Sequence, residues 1–339
     1  MKYNHFPKMK KICLTWLFIA TFLMGILMMG VLSNKLVSNP RAIEQINTDS
    51  AMSVNTILFK NNWTFGDSSD DEGFAIARGP PYLYLAGITD KYGTYDVTLI
   101  KSDPSGNPLW TKYWVGDGVE LVEGIAVDGS GNIYITGQTS SYGSGILNLF
   151  LLKYNSGGTK LWNYTWSHAS KISNGHDIVF DGSDNVYVVG STNHLGTYDL
   201  VVIKYNSTGT ELWNTTWGGV ANSEYGWGIA IDGSTLYVAG GTKSYGSGGV
   251  DLALIKISAT TGAVLDTEIW GGSKDDSINS IIVESNYIYL AGTTSSYGAG
   301  GSDIVVLKYD LNLNRQWYST YGGSGTTNET CHGIAHYNN

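Results

Sequence analysis

Short hydrophobic segments alternate with turns rich in Gly, Ser, Asn and Asp from residue 56 onward, and the whole pattern returns about every 52 residues. An aromatic residue marks each return at spacings of 51, 52, 51, 53 and 51: Trp63, Trp114, Trp166, Trp217, Trp270 and Tyr321. Each copy divides into four short segments with strand patterning, which in the second copy are residues 124–128, 132–139, 148–154 and 161–166. Four strands in about 50 residues is the footprint of a propeller blade. The pattern therefore predicts an all-β fold, a β-propeller of four-stranded blades with five complete blades and partial strands at both ends.

Two further signals recur in every copy. A Tyr-x-x-Gly-x-Thr box lies on the second strand, as at residues 134–139, and a lysine lies near the end of the third strand: Lys101, Lys153, Lys204, Lys256 and Lys308. The third strand is apolar on both faces, as in DLVVIKY at 199–205, which predicts burial between stacked sheets. We expect the lysine to be structural, with its stem on apolar surface and its ammonium group in solvent.

The repeat also carries a recognisable consensus: W-G-G, G-I-A-x-D-G-S-x-N-x-Y-V-x-G-x-T, S-Y-G, D-x-x-L-x-K-Y and G-x-x-L-W. This consensus resembles the SBBP β-propeller repeat of prokaryotic surface and secreted proteins, over roughly residues 56–339. The resemblance implies a propeller and no fixed activity. The segment KYNSTGTELW at 204–213 is also similar to pyrroloquinoline-quinone-type propeller repeats.

The N-terminus predicts a membrane anchor. A basic segment at 1–11, interpreted as cytoplasmic, precedes an uncharged run at 12–33 that is long enough to cross a bilayer. A cleavable signal sequence is the alternative, although the run is longer than the usual apolar core of a signal peptide. Residues 34–55 are interpreted as a linker and 56–339 as the propeller. Both interpretations place the propeller outside the cytoplasm, either membrane-anchored or secreted.

The charge of the chain limits the classes of binding partner, and its cysteine content limits the disulfides that it can form. The net charge is −9, and because the first 35 residues contain five lysines and no acid, the exported part is more acidic still. Nucleic acid is excluded as a partner for such a surface. The two cysteines, Cys13 and Cys331, cannot form a framework of intrachain disulfides.

The two ends of the repeat region do not make a whole blade. Residues 56–63 match a fourth strand without its blade, and residues 332–335 begin a first strand. A chain truncated at its C-terminus is the preferred explanation. The alternatives are a five-bladed ring with spare terminal strands and a ring closed by another chain.

A row of acids predicts a cation site. In each copy, one position lies five residues before the central Ile of the first strand. It holds Asp71, Glu120, Ser173, Glu224, Asp276 and Glu329 in turn. We expect this position to lie in the loop entering the innermost strand, so that a propeller gathers the carboxylates around one mouth, where Ca²⁺ would suit hard oxygen donors. Alternatively, each carboxylate caps backbone amides and ties blade to blade. The residues that open the third strand (Asp96, Asn148, Asp199, Asp251 and Asp303) are interpreted as loop caps.

A second row differs in every copy and predicts a ligand site. The position two residues before the same Ile holds Phe74, Glu123, His176, Trp227, Asn279 and His332 in turn. These side chains are candidates for binding a glycan at the channel mouth, because Trp, His and Asn combine stacking with hydrogen bonding. The alternative is a tolerant, solvent-facing position.

The sequence contains no recognisable catalytic motif. We therefore predict a non-enzymatic, extracytoplasmic binding, adhesion or scaffold module at the cell surface, with a protein or glycan as partner and no cofactor beyond Ca²⁺. The alternatives are a quinoprotein-like or hydrolytic enzyme that uses the channel mouth, and a structural spacer of a longer surface protein. N-glycosylation sequons occur at Asn62, Asn163, Asn206, Asn214 and Asn328.

Overall fold

The computed structural model describes residues 69–323, 325 and 328–335. These residues form 20 strands in five four-stranded antiparallel sheets, and each sheet consists of four consecutive strands. Within the described ranges no helix is long and apolar enough to cross a membrane. The predicted basic segment, membrane anchor and linker at 1–55, and the predicted strand at 56–63, lie outside the described residues.

Each sheet corresponds to one sequence repeat. The first strands are β1 (Asp71–Gly79), β5 (Glu120–Val127), β9 (Ser173–Phe180), β13 (Glu224–Asp232) and β17 (Asp276–Glu284). The second strands are β2 (Tyr82–Thr89), β6 (Ile133–Thr139), β10 (Val186–Thr192), β14 (Thr235–Thr242) and β18 (Tyr287–Thr294). The third strands are β3 (Asp96–Ser102), β7 (Asn148–Tyr154), β11 (Asp199–Tyr205), β15 (Asp251–Ser258) and β19 (Asp303–Asp310). The fourth strands are β4 (Pro108–Trp114), β8 (Lys160–Trp166), β12 (Glu211–Trp217), β16 (Val264–Trp270) and β20 (Arg315–Tyr321).

The sheets are the blades of a propeller. Their first strands contact one another in the order β1, β5, β9, β13, β17, so these strands are the innermost, and the fourth strands form the outer edges. Burial fits this arrangement, since every residue of β7 and β11 is buried. The predicted all-β propeller is confirmed, and the second and third blades have third strands covered on both faces, whereas buried and half-buried residues alternate along β19 of the fifth blade.

The hydrophobic core lies between blades. Each of its four clusters joins two neighbouring blades, as where Leu99 and Trp114 of the first blade pack with Ile135 and Phe150 of the second. Both faces of an internal blade are therefore apolar, which explains why its second and third strands lack strict alternation.

In the second and third blades one aspartate side chain closes the turn between the first and second strands. In the second blade Asp128 Oδ1 accepts hydrogen bonds from the backbone N–H groups of Ser130 (2.9 Å) and Asn132 (2.8 Å). The Asn132 side-chain amide donates to Asp128 Oδ2 at 2.8 Å. The Asp-Gly-Ser-x-Asn sequence thus supplies its own turn, because short polar side chains can satisfy the backbone locally.

The recurring lysines tie one blade to the next. Four of them donate from Nζ to a backbone carbonyl in a hairpin turn of the following blade: Lys101 to Ser156 (2.9 Å), Lys153 to Ser207 (3.0 Å), Lys204 to Ala259 (2.9 Å) and Lys256 to Leu311 (2.8 Å). Each ammonium group also lies within 6 Å of an aromatic ring, as Lys204 does over Tyr187 at 5.0 Å. The structural role is as predicted, but the placement of the ammonium group in solvent is wrong, because the neighbouring turn covers it.

Residues 328–331 repeat an inter-blade contact. The Glu329 N–H donates to the Ser302 carbonyl at 2.8 Å, just as the Glu224 N–H donates to the Tyr198 carbonyl at 2.8 Å where the fourth blade meets the third. The segment therefore occupies the position of a first strand beside the fifth blade.

Candidate functional site

Every innermost strand carries a β-bulge at the same place. The pairing between first and second strands skips one residue in each blade: Phe74, Glu123, His176, Trp227 and Asn279. These five residues, here called the bulge row, are the described members of the row that differs between repeats. A bulge leaves its extra residue out of the ladder and turns its side chain away from the regular alternation.

The Tyr-x-x-Gly-x-Thr box accounts for the bulge. A Cβ placed on Gly137 would overlap the carbonyl oxygen of Leu121, which lies two residues before the bulge residue Glu123. The same overlap with the backbone two residues before the bulge would occur at every box glycine: Gly87, Gly137, Gly190, Gly240 and Gly292. The bulged strand approaches its neighbour so closely at this point that only glycine fits.

Aromatic rings converge at the bulge row between the third and fourth blades. The centroids of the His176 and Trp227 rings lie 4.6 Å apart, although the two residues belong to different strands. Tyr225 stacks on Trp227 at 5.8 Å with an interplanar angle of 22°, and Tyr198 follows at 5.6 Å from Tyr225. The four rings form a continuous aromatic surface.

Two side chains of the bulge row, His176 and Glu123, have shifted pKa values. Burial lowers the pKa of His176 to about 4, so the imidazole is neutral at physiological pH. Glu123 is exposed, yet partial desolvation by the surrounding protein raises the pKa of its carboxyl group. Asn279 donates a side-chain hydrogen bond to the Cys331 carbonyl, and Phe74 is 42% exposed. The row therefore presents aromatic faces, one carboxyl group and one amide.

His332, the sixth predicted ligand residue, lies outside the named strands. Its side chain is exposed, and its Nε2 lies 3.5 Å from the Thr330 hydroxyl. Its participation in a ligand site stays a prediction.

Asp177, directly after the bulge of β9, is a site residue that the sequence analysis missed. Its Oδ1 accepts from the Ile178 N–H at 2.8 Å, and its Oδ2 accepts from the Ile229 N–H of the next blade at 3.1 Å. Burial raises the pKa of this carboxyl to about 6. The available signal was that the other described repeats have a small residue here: Ala75, Gly124, Gly228 and Ser280.

Four of the predicted cation ligands open the first strands instead of lying in the loops before them, since each pairs with the threonine of the box: Asp71, Glu120, Glu224 and Asp276. Glu329 lies outside the named strands. Glu224 Oε1 accepts from the Thr242 hydroxyl (3.1 Å) and the Ser244 N–H (3.0 Å), and its Oε2 accepts from the Gly219 N–H (2.7 Å). Equivalent residues bond the box threonine in the same way, namely Glu120, Asp276 and the neutral Ser173.

These acids do not form one cluster in the part of the chain that is described. Glu120, Glu224 and Asp276 are fully buried, Glu329 is half-buried and Asp71 is exposed. No group of three or more His, Cys, Asp or Glu residues that could hold a metal ion occurs among the described residues. The contacts match the alternative in which each acid caps backbone amides, and a shared cation at one mouth stays a prediction without support from this geometry.

The sequons have different surroundings. Asn163, Asn214 and Asn328 are exposed, and Asn206 is half-buried with its side-chain oxygen bonded to the Thr208 and Thr210 N–H groups. Asn62 lies outside the described residues. Glycosylation stays a prediction.

A cleft at the loop ends lies apart from the bulge row. It measures about 240 Å³ and is lined by residues that include Leu195, Asp199 and Val220. Small-molecule sites usually start at about 300 Å³ and are better enclosed. The bulge row, which combines aromatic rings with polar groups of altered acidity, is therefore the stronger candidate.

The sequence profile of the SBBP beta-propeller repeat matches residues 109–143 and 167–196. The resemblance to the SBBP repeat is confirmed. Each matched SBBP segment contains the start of an innermost strand and its bulge residue, Glu123 in one and His176 in the other. No curated protein matches the chain.

Several solved structures resemble this propeller. A gluconolactonase from Xanthomonas campestris is 13% identical with a TM-score of 0.44, over 75% of this chain and 78% of that chain. A Hadza microbial sialidase is 10% identical with a TM-score of 0.48, over 73% of this chain and 57% of that chain. A subtype N10 neuraminidase-like protein of A/little yellow-shouldered bat/Guatemala is 9% identical with a TM-score of 0.46, over 75% and 82% of the two chains. At this level of identity and overlap, the likenesses carry no argument about function.

Proposed function

We propose that this SBBP propeller is a non-enzymatic binding module and that it takes a glycan at the bulge row. The observation that carries the proposal is that the bulge positions hold five different side chains, whereas the Ile two residues later is the same in all five described first strands. Architecture requires the same residue at equivalent positions of a repeat. A position that differs in every copy, two residues from a constant Ile, is available for recognition.

The chemistry of the row suits a sugar. The Trp227 ring, flanked by His176 and Tyr225, offers an apolar face for the C–H side of a pyranose. His176 is neutral at physiological pH, so it adds a hydrogen-bonding group without a charge to desolvate. Glu123 and Asn279 supply polar groups on neighbouring innermost strands. Aromatic surface with a few convergent polar groups is typical of small-ligand sites.

The backbone at the row is held rigidly before any ligand arrives. The box glycines pack against the strand beside each bulge, and the innermost strands contact one another. A preorganised site loses little conformational entropy on binding.

A glycan array with the purified full-length chain tests the proposal. For any glycan bound, isothermal titration with the Trp227→Ala variant is expected to show at least a tenfold weaker affinity. His176→Ala is expected to weaken binding by a smaller factor, because it removes one flank of the same surface. Unchanged thermal stability of both variants would show that the fold is intact.

Trp317→Ala is the matched control, since Trp317 is 38% exposed on the outermost strand of the fifth blade. This variant should bind as the parent does. If no glycan binds, the assignment of a glycan ligand fails. If a glycan binds and Trp227→Ala binds it equally well, the site lies elsewhere.

A catalytic use of the same row is the alternative function. Two carboxyl groups there have a raised pKa, Glu123 and Asp177, which is a common property of active-site acids. However, both oxygens of Asp177 accept backbone hydrogen bonds, and the one to Oδ2 joins β9 to β13, so this carboxyl has a structural task. Turnover of a glycan by the parent, lost in Glu123→Gln while binding persists, would favour the enzyme.

The cellular setting belongs to the same proposal. We expect the propeller outside the cytoplasm, anchored in the membrane through residues 12–33 or secreted if that segment is cleaved, with a glycan or a glycoprotein as partner. Protease treatment of intact cells should remove the propeller. Protection from protease in intact cells, with digestion after lysis, would contradict this placement.

A further inference from the structure

Pairs of buried carboxylates meet at the blade seams, defined here as the contacts between the start of a third strand and the start of the next blade's first strand. A Cβ placed on Gly218 would lie less than 3.0 Å from both Asp199 Oδ1 and Glu224 Oε2. One placed on Gly271 would lie equally close to Asp251 Oδ1 and Asp276 Oδ2. The two oxygens of each pair therefore face the same small space. Equivalent residues at the other acidic seams are Asp96 with Glu120 and Asp303 with Glu329.

Several seam oxygens lack partners, although Glu224 Oε2 and Asp276 Oδ2 each accept one hydrogen bond from a backbone N–H group. At the seam between the first and second blades, Asp96 Oδ1 accepts from the Gly116 N–H (3.0 Å) and Glu120 Oε1 accepts from the Thr139 hydroxyl (2.8 Å). Asp96 Oδ2 and Glu120 Oε2 have no hydrogen-bond partner, and both residues are 0% exposed. Asp251 Oδ1 is likewise buried and without a partner.

No basic side chain compensates these charges. In the described part of the chain, no Lys, Arg or His lies within salt-bridge distance of the seam acids, and Lys204 pairs with Asp181 in a turn. Two carboxylates enclosed in a space without water repel each other, and no opposite charge compensates for the hydration that each has lost. A positive charge bound between the two carboxylates would relieve this repulsion.

One seam has lost both acids together. Between the second and third blades the two positions hold Asn148 and Ser173. The capping contacts survive the change, since Asn148 Oδ1 accepts from the Gly145 N–H at 2.8 Å and the Ser173 hydroxyl lies 2.9 Å from that of Thr192. Capping thus needs no charge, and the joint loss of both carboxylates indicates that the pair serves a common ligand.

We propose that each acidic blade seam binds one divalent cation between its two carboxylates, and that Ca²⁺ is the preferred ion. This differs from a ring of acids around one mouth, because the second ligand is the aspartate that opens the third strand. Two carboxylates completed by neutral oxygens and water suit a hard cation that accepts irregular coordination. With so few charged ligands, the dissociation constant is expected on the order of 0.1–1 mM, as in extracellular calcium modules.

Calcium binding to the full-length protein tests the proposal. After removal of divalent ions with EDTA, equilibrium dialysis at pH 7.5 in 0.15 M NaCl should show saturable binding of Ca²⁺, and the melting temperature should rise with added CaCl₂ more than with MgCl₂. The double variant Asp251→Asn/Asp276→Ser, which copies the neutral seam, should bind one Ca²⁺ fewer per chain. The reciprocal variant Asn148→Asp/Ser173→Glu should bind one more.

The control Asp232→Asn/Asp266→Asn removes the same charge from exposed positions and should bind Ca²⁺ as the parent does. The proposal is overturned if Ca²⁺ neither binds nor shifts the melting temperature, or if the seam variant binds as many ions as the parent. It is also overturned if the stability of the EDTA-treated protein rises as the pH falls to 5.5 while Ca²⁺ has no effect, since a shared proton would then neutralise the pair. These outcomes are independent of glycan binding at the bulge row.

Discussion

Replacing Lys204 with Met is expected to destabilise the propeller much more than the same change at Lys308. Lys204 Nζ donates to the Ala259 carbonyl of the next blade (2.9 Å), lies 5.0 Å from the Tyr187 ring centroid and 4.0 Å from Asp181 Oδ2. Lys308 lies 3.5 Å from the Tyr287 ring centroid, and no hydrogen bond from its Nζ occurs among the described residues. The pair of variants therefore isolates the inter-blade bond.

The magnitude follows from these contacts. A hydrogen bond from a charged donor contributes about 1.5–3 kcal/mol, and a partly buried cation–π contact about 1 kcal/mol. The apolar Met side chain recovers roughly 1 kcal/mol by burial. Moreover, the Ala259 carbonyl keeps a bond from the Tyr187 hydroxyl at 3.1 Å, so it is not left without a partner. We expect a loss of about 1.5–3 kcal/mol for Lys204→Met and under about 1 kcal/mol for Lys308→Met.

Differential scanning calorimetry provides the assay. For a domain of this size the loss at Lys204 corresponds to a melting temperature lower by about 3–6 °C, against less than about 2 °C at Lys308. The difference should persist in 0.5 M NaCl, because the main partner is a buried carbonyl and not an exposed charge. Equal shifts for the two variants, or a Lys204→Met variant as stable as the parent, would refute the assignment of an inter-blade clamp.

Two further substitutions have defined outcomes. Asp177→Asn should raise the melting temperature at pH 7.5 and lower it near pH 4. A pKa of about 6 means that folding favours the neutral acid, so its stabilisation is complete below pH 3.8 and is lost as the pH rises through 6. The ionised form costs up to about 3 kcal/mol, offset by about 1 kcal/mol for the acceptor that Asn lacks. Gly137→Ala should cost about 2–4 kcal/mol in chemical unfolding, because its Cβ would overlap the Leu121 carbonyl. Gly129→Ala, where no atom lies within 4 Å of the added Cβ, should change stability by less than about 0.5 kcal/mol. Parallel stability profiles of Asp177→Asn and the parent across pH would contradict the first expectation, and similar losses in both glycine variants the second.

The repeat itself determined the fold. Five copies of a two-sided apolar strand, each followed by turn residues, leave few ways to bury both faces of every sheet other than stacking the sheets around an axis. The Asp128 and Asn132 turn also follows from local chemistry alone, since all its hydrogen bonds lie within five residues. Such features are readable because their partners are close in the chain or recur at a fixed period.

Gly137 of the Tyr-x-x-Gly-x-Thr box was only partly predictable from the sequence. Its recurrence was visible in the sequence, but its reason was not, because the overlapping carbonyl belongs to Leu121 on the neighbouring strand. A glycine at a fixed place in an otherwise regular strand is a known sign of a bulge or close approach. Interpreted as a bulge signal, the recurring glycine would have predicted that Glu123 and its equivalents lie outside the pairing between first and second strands.

Contacts between blades were decided by the tertiary structure. Lys204 has its carbonyl partner 55 residues away, and Asp177 accepts from an N–H that is 52 residues away. The sequence indicated a structural lysine but could not say that its ammonium group would be covered. The sequence analysis likewise assigned Asp199 and Glu224 to two separate rows. Their carboxylates meet only when consecutive blades stack, so the pairing could not be predicted. Period and patterning thus specify each blade, whereas the chemistry of the seams and of the bulge row depends on side chains that only the packed blades bring together.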